Sequence, residues 1–503
     1  MSRSFAPRRS ASAGRSNRPR STSSPRPSRP ATTAQTALDA ALDASLALDP
    51  PALGSFADLG LPAPLIEALR RGGIERPFAI QTRALPDALA GRDVLGRAAT
   101  GSGKTLAFGL PILTRLAAGP SGADGRDGAA RRPKAPRALV LVPSRELALQ
   151  VTANLAPLAE VLGLRVATVV GGQAYGRQID ALTRGVDVVV ATPGRLIDLI
   201  ERKSCRLDSV EITTLDEADY MADLGFLPVV KQLLDMTPAH SQRLLFSATL
   251  DRGVAGLVET YLTDPAVHAV AAAQATISSM SHRVFVVRGD HKSKIAAEVA
   301  ARPARTLFFV RTKHGADRLA KQLTVSGVDA AALHGNLTQG ARQRVMADFT
   351  DGRTRVLVAT DVAARGVHVD DVDLVVHYDP PADHKDYLHR SGRTARAGSA
   401  GTVVAFVQAA EMSTMRRLHR DANVEALVES VSPGHDAVLT MGASGAPIVV
   451  RPRAASHTGA SGSRPGAGRR GQSRQGRQGR QGRSAGSAGF AAGTGSSGRS
   501  RHH

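Results

Sequence analysis

An α/β chain of two tandem parallel-sheet domains, flanked by disordered basic tails, is the fold class this sequence predicts, and three observations carry it. Short β-branched runs alternate with longer helical patterns twice along the chain, which is the rhythm of βαβ units. Between the two series, residues 271–281 lapse into small residues without periodicity. The two ends are rich in arginine and hold no acid, with eight Arg in residues 1–30 and eleven in residues 451–503. Once those 19 are set aside, 46 of the 65 Lys and Arg remain against 44 Asp and Glu, so the folded part is nearly neutral. The formal charge of +21 therefore belongs to the tails, which points to a polyanionic partner gripped from the ends.

In chain order, residues 1–48 read as a disordered Arg/Ser/Pro-rich tail, because their opening has almost nothing to bury against the entropy of ordering. Pro7, Pro19, Pro25, Pro27 and Pro30 also spoil the amphipathic helix of a transit peptide. Residues 49–270 form the first domain, with strands expected at Asp93–Gly96, Ala138–Val142, Val166–Val170, Val186–Ala191, Val210–Leu215 and Leu244–Ser247. Residues 271–281 are the linker. Residues 282–430 form the second domain, with strands at Val284–Val287, Thr306–Val310, Val356–Ala359, Leu374–His377 and Thr402–Phe406. Residues 451–503, Gly/Arg/Gln-rich with a repeated Arg-Gln-Gly, read as a flexible, disordered polycation. With 503 residues and 42% apolar content there is chain enough for two cores. One cysteine, Cys205, excludes an intrachain disulfide and cysteine-built zinc sites, and no apolar run reaches the length of a membrane span. The expectation is a cytoplasmic, monomeric protein with no membrane partner.

The chemistry begins where the first strand runs into Ala98-Ala99-Thr100-Gly101-Ser102-Gly103-Lys104-Thr105 and an apolar helical pattern follows. Strand, Gly-Lys-Thr and helix in that order make a phosphate-binding loop. Small residues let backbone N–H groups approach phosphates, Lys104 supplies a point charge for the β and γ oxygens, and the Thr105 hydroxyl can ligand Mg²⁺. Ala98 stands where the general pattern has its first Gly. Such a site needs acids, and Asp216-Glu217-Ala218-Asp219 closes a strand-like run, at the edge where open α/β sheets place ligands. Asp216 is the expected Mg²⁺ partner and Glu217 the group that polarises the attacking water.

With these residues in order, the chain from about Phe56 to Gly398 resembles the DEAD-box RNA helicases, whose fold is two RecA-like domains. The resemblance implies that Phe56 stacks on adenine and that Gln81, in Gly73–Gln81, reads its edge, although Ala79 replaces the family's usual Pro. It implies RNA contacts at Arg145 in Pro143–Ala148, at Gly172, and at Thr192, Gly194 and Arg195. Gln339, Arg342 and Thr360 are their counterparts in the second domain. Ser247-Ala248-Thr249 resembles the segment that couples nucleotide state to RNA. In His389–Arg396, Arg393 and Arg396 resemble the pair that reaches across the cleft to the γ-phosphate. His368 stands where the family commonly has an Asp for the ribose, with Asp370 and Asp371 close behind.

What the resemblance implies is an enzyme that uses ATP and Mg²⁺ to clamp RNA, open short duplexes and remodel ribonucleoproteins, with Lys104, Asp216, Glu217, Arg393 and Arg396 as its catalytic set. Its RNA partners are single strands and short duplexes, with ribonucleoprotein or ribosome-assembly partners beside them. Two alternatives stay open: a DNA-acting two-domain translocase, and a non-enzymatic RNA chaperone working through its tails.

Overall fold

The computed structural model describes residues 33–48, 54–98, 101–119, 131–270, 280–364, 372–395 and 401–445. Residues 1–32 and 446–503, which hold most of the expected N-terminal tail and all of the C-terminal one, lie outside the described residues, as do linker residues 271–279.

In the first domain the strands are β1 (Val94–Arg97), β2 (Ala138–Leu141), β3 (Val166–Val169), β4 (Val188–Ala191), β5 (Ile212–Asp216), β6 (Gln242–Ser247) and β7 (Ala266–Ala269), in the order β3-β4-β2-β5-β6-β1-β7. Every pair is parallel. The second domain repeats the plan with β8 (Met280–Val286), β9 (Thr306–Phe309), β10 (Ala330–Leu333), β11 (Val356–Ala359), β12 (Leu374–His377), β13 (Gly401–Val407) and β14 (Leu427–Ser430), in the order β10-β11-β9-β12-β13-β8-β14. Its pairs are parallel as well. These are two tandem RecA-like domains. Helices cover both faces of each sheet, so a central strand such as β2 is apolar on both sides: Val140 packs into the core on one side, while Leu139 and Leu141 pack into the core on the other.

Three strands escape the sequence reading, β7, β10 and β14, and all three are sheet edges. Their sequences, AVHA, AAAL and LVES, are short, rich in alanine or interrupted by polar residues, and carry little β signal of their own. The expected tail 1–48 is corrected too, since Thr33–Ala47 is a helix. Its run of Ala and Leu has high helix propensity, and its packing is specific. Leu42 is fully buried, Asp43 faces Arg97 at 3.5 Å, and the Ser45 hydroxyl accepts a hydrogen bond from the Ala269 N–H at 2.9 Å. Arg83 donates to the Ser45 carbonyl at 2.5 Å and to the Leu48 carbonyl. The second domain likewise outruns its expected limits: β8 begins at Met280, inside the expected linker, and the helix Asp436–Gly442 buries Val438 and Met441 in the core beyond residue 430.

Beneath the helix His384–Ser391, three histidines from separate elements surround Tyr387. His282 Nδ1 lies 2.8 Å from the Tyr387 hydroxyl, and the rings of His377 and His419 lie 4.8 and 4.9 Å from the Tyr387 ring. Burial, with Arg390 and the other histidines adding to it, holds His377 well below the usual imidazole range. Burial and His282 bring His419 down to about 4. Both are neutral when folded and protonate more readily when unfolded, so the unfolded chain binds more protons below about pH 6.5. Stability is therefore fully present above that pH and is lost as pH falls toward 4. Urea midpoints measured from pH 7.5 to 5 should fall, and His419→Leu should flatten the dependence; an equal slope in the variant counts against this origin.

Candidate nucleotide and nucleic-acid site

Strands β5, β6 and β1 are neighbours in register, with Asp216 opposite Phe246 and Ser247 opposite Arg97. Three of the expected motifs therefore leave the sheet side by side at its carboxyl edge. After β1 the backbone turns through Gly101 (φ 87°) and Gly103 (φ 89°), left-handed conformations that favour glycine. Gly103 is also pressed from outside: a Cβ there would sit 2.4 Å from Gln81 Nε2 and 2.6 Å from Phe78 Cδ2. The helix Lys104–Ala117 starts directly after it and turns its first N–H groups toward the loop. Lys104 is buried, and its ammonium has no hydrogen-bond partner among the described residues; Asp216 Oδ1 is 3.8 Å away. The Ser102 hydroxyl is also buried without a partner among the described residues. Ala98 continues the strand by donating to the Ser247 carbonyl, whereas Ala99 and Thr100 lie outside the described residues.

Glu217 follows Asp216 in the left-handed region at φ 53°, ψ 51°, a costly conformation for a residue with a Cβ. It turns the chain sharply between β5 and the helix Ala218–Asp223. Burial raises the carboxyls of both Asp216 and Glu217 above the usual range, against the pull of Lys104. Asp219 moves the other way. Burial opposes its charge, but His389, Lys104 and hydrogen bonds from the Thr249 N–H and hydroxyl, each 2.9 Å, outweigh that cost. Its own N–H donates to the Ser247 hydroxyl at 3.2 Å, so the acidic turn and the Ser-Ala-Thr segment are stitched together. The sequence reading gave Asp219 no role of its own.

The second domain completes the enclosure. His389 and Arg393 line a recess together with Lys104, Glu217, Asp219 and Tyr220. Arg393 lies close enough to draw down the Glu217 carboxyl, and its Nε donates to the His389 carbonyl at 3.2 Å. Arg390, unassigned from sequence, grips Asp361 through two bonds of 2.5 and 2.7 Å and so fastens this helix to the end of β11. The Tyr220 hydroxyl donates to the Val362 carbonyl at 3.4 Å, and Lys385 pairs with Asp251 at 3.6 Å, which ties the domains at either side. Arg396, His368, Asp370 and Asp371 lie outside the described residues.

At the base-reading end, the Phe78 N–H donates to Gln81 Oε1 at 2.8 Å and Gln81 Nε2 donates to the Gly103 carbonyl at 2.9 Å. Gln81 thus joins this motif to the phosphate loop. Phe56 is 2% exposed and packed in the core, which does not leave its ring open for stacking as expected; Phe78, which sequence reasoning passed over, is 59% exposed beside Gln81.

The expected RNA contacts divide. Arg145 is exposed and lies over Gly172 (φ 76°), where a Cβ would come within 2.3 Å of its guanidinium. Gly194 is exposed, and Thr192 opens the helix Pro193–Glu201 without committing its hydroxyl to a cap. Thr360 is half-buried at the end of β11, and the Gln339 amide is buried with neither atom partnered among the described residues. Arg195 is committed within the protein, donating to the Gln173 carbonyl at 3.0 Å. Arg342 is buried and bonded across the domains to Glu146 at 2.8 Å, a pairing 196 residues apart that no local pattern announces.

A glycine-bent loop opening a helix, acids at the next strand ends and a basic helix from a second RecA-like domain define a two-domain P-loop protein. Residues 78–257 match the DEAD/DEAH box helicase domain and residues 291–398 the helicase conserved C-terminal domain. The ATP-dependent RNA helicase RhlB of Xanthomonas oryzae pv. oryzae is 41% identical over 357 residues, 70% of this chain and 61% of that protein. The DEAD-box ATP-dependent RNA helicase CshA of Bacillus subtilis is 36% identical over 370 residues, 73% of this chain and 72% of that one. Saccharomyces cerevisiae Dbp5, in its structure bound to RNA and ADP BeF3, superposes with a TM-score of 0.66 at 28% identity, over 75% of this chain and 96% of that one. The chain belongs to the DEAD-box helicase family. It spans about three fifths of the length of the RhlB relatives.

Proposed function

We propose that the chain is an ATP-dependent RNA helicase, an RNA-stimulated ATPase that clamps RNA, opens short duplexes and remodels ribonucleoproteins. The observation that carries this reading is the single recess at which Lys104 and Glu217 of one domain meet Arg393 of the other, with Asp216 beside Lys104. Lys104 and the helix N-terminus bind the β and γ phosphates of ATP. Glu217 orients the attacking water, and a carboxyl raised by burial is a better proton acceptor than an exposed one. Arg393, with Arg396 beside it in sequence, stabilises charge on the transferred phosphoryl group. Gln81 reads adenine, and Phe78 is better placed than Phe56 to pack against the base. An oxygen donor set of the Thr105 hydroxyl and the Asp216 carboxylate, beside acids that burial leaves short of positive charge, suits Mg²⁺. When bound there the ion offsets phosphate charge.

Arg145, Gly172, Thr192, Gly194, Gln339 and Thr360 line the RNA path in this reading, while Arg195 and Arg342 hold its walls. Residues 451–503 add nonspecific affinity for RNA. A single cysteine, buried, suits a cytoplasmic setting, and no helix among the described residues is long and apolar enough to cross a membrane. ATP hydrolysis measured alone, with single-stranded RNA and with DNA of the same sequence should rise with RNA only. Equal stimulation by DNA favours the translocase, and no hydrolysis at all favours the chaperone.

A further inference from the structure

Two exposed aromatic rings stand out among the described residues, Phe78 beside the phosphate loop and Tyr175 at the far rim of the first domain. Tyr175 begins the helix Tyr175–Thr183, three residues after Gly172. It is held by the neighbouring helix Pro193–Glu201 and its C-cap Arg202, with residues 195, 198 and 202 on one face. The guanidinium carbons of Arg195 and Arg202 lie 4.1 and 4.6 Å from the ring centre. The Tyr175 hydroxyl donates to Asp198 at 2.5 Å, and Arg202 Nε donates to the same carboxylate at 2.8 Å. The two arginines differ in access. The side chain of Arg195 is 10% exposed and anchored to Gln173, whereas that of Arg202 is 55% exposed.

We infer that Tyr175 and Arg202 form a stacking platform for a base of single-stranded RNA leaving the Arg145–Gly172 rim, with Arg195 and Asp198 holding it in place. This rests on the helicase reading and extends the RNA path beyond the residues assigned above. Surface ion pairs alone stabilise a fold little, so stability is a weak reason to hold an exposed ring among two cations and one carboxylate. A nucleobase presents a π-face that stacks on tyrosine or on a guanidinium plane whatever its sequence. The charge also fits: two guanidiniums against one carboxylate favour a polyanion.

The test measures binding of oligouridines of about 6 and about 15 nucleotides, a range that covers single-stranded site sizes, to the full chain with a non-hydrolysable ATP analogue. Tyr175→Ala should weaken the longer strand by about 5- to 150-fold, as loss of one stacked base does, with a much smaller effect on the shorter. Tyr175→Phe, which keeps the ring and loses only the Asp198 bond, should stay close to the unaltered chain. Arg202→Ala, on an exposed side chain, should reproduce the alanine effect and supplies the answer if Tyr175→Ala melts early. A thiouridine-containing strand should crosslink to the peptide holding Tyr175. Unchanged affinity in both alanine variants, or equal losses in Tyr175→Phe and Tyr175→Ala, would overturn the platform. Failure of the unaltered chain to respond to any RNA would instead overturn the helicase reading.

Discussion

Arg393→Ala should lower the RNA-stimulated turnover of ATP about 10³-fold or more, the usual cost of losing an arginine finger, while RNA binding in the presence of an ATP analogue persists. Arg393 is 5% exposed and lies in the turn just past the end of a helix that Arg390 and Asp361 lock to the second sheet, so its approach to the recess is set by that anchored helix. Its charge already bears on Glu217 across the domains. Glu217→Gln should produce a comparable fall in turnover and leave ATP binding intact, because the amide keeps the shape but cannot take a proton. The double variant should be much less than additive, since the two groups act on one phosphoryl transfer. Steady-state and single-turnover ATPase assays decide: if hydrolysis survives Arg393→Ala, the site is not assembled across the domains.

Lys104→Ala should weaken ATP binding strongly as well as turnover. The Lys104 ammonium is buried and lacks a hydrogen-bond partner among the described residues, a desolvated cation positioned for an anion such as phosphate. A charge-assisted bond contributes about 1.5–3 kcal/mol, so the dissociation constant for ATP should rise by about 10- to 150-fold. The substitution also withdraws the cation that moderates Asp216 and Glu217, so the protein without nucleotide should lose stability at neutral pH. Titration calorimetry with an ATP analogue, paired with a thermal melt, reads both effects. Binding within threefold of the unaltered chain, roughly 0.65 kcal/mol, would place the phosphates elsewhere.

Local sequence patterns located the interior strands, the phosphate loop and the acidic turn, because each carries its signal in consecutive residues. β5 and Asp216 are legible in this way: a β-branched run ends, and acids begin. Other features depend on partners far away in the chain. Nothing near Arg342 indicates that Glu146 will bind it, and nothing near Asp219 indicates Thr249. Phe56 has the spacing of a base-stacking ring, yet its 3-10 turn drives it into the core. β10, a run of alanines ending in leucine, is a strand because β11 pairs with it in register. The helix Thr33–Ala47 was concealed by the composition of the residues before it, since the Arg- and Pro-rich opening stops just short of its first turn.

That helix also finishes a raw border. β7 is the last strand of its sheet, and the Ala269 N–H, which β1 does not engage, finds its acceptor in Ser45. A chain trimmed to start at residue 49 would still hold both RecA-like cores, but it would leave an open strand edge of the kind onto which other chains can add. The first visible consequence of such trimming would be stickiness between molecules, well before any loss of chemistry at the nucleotide recess.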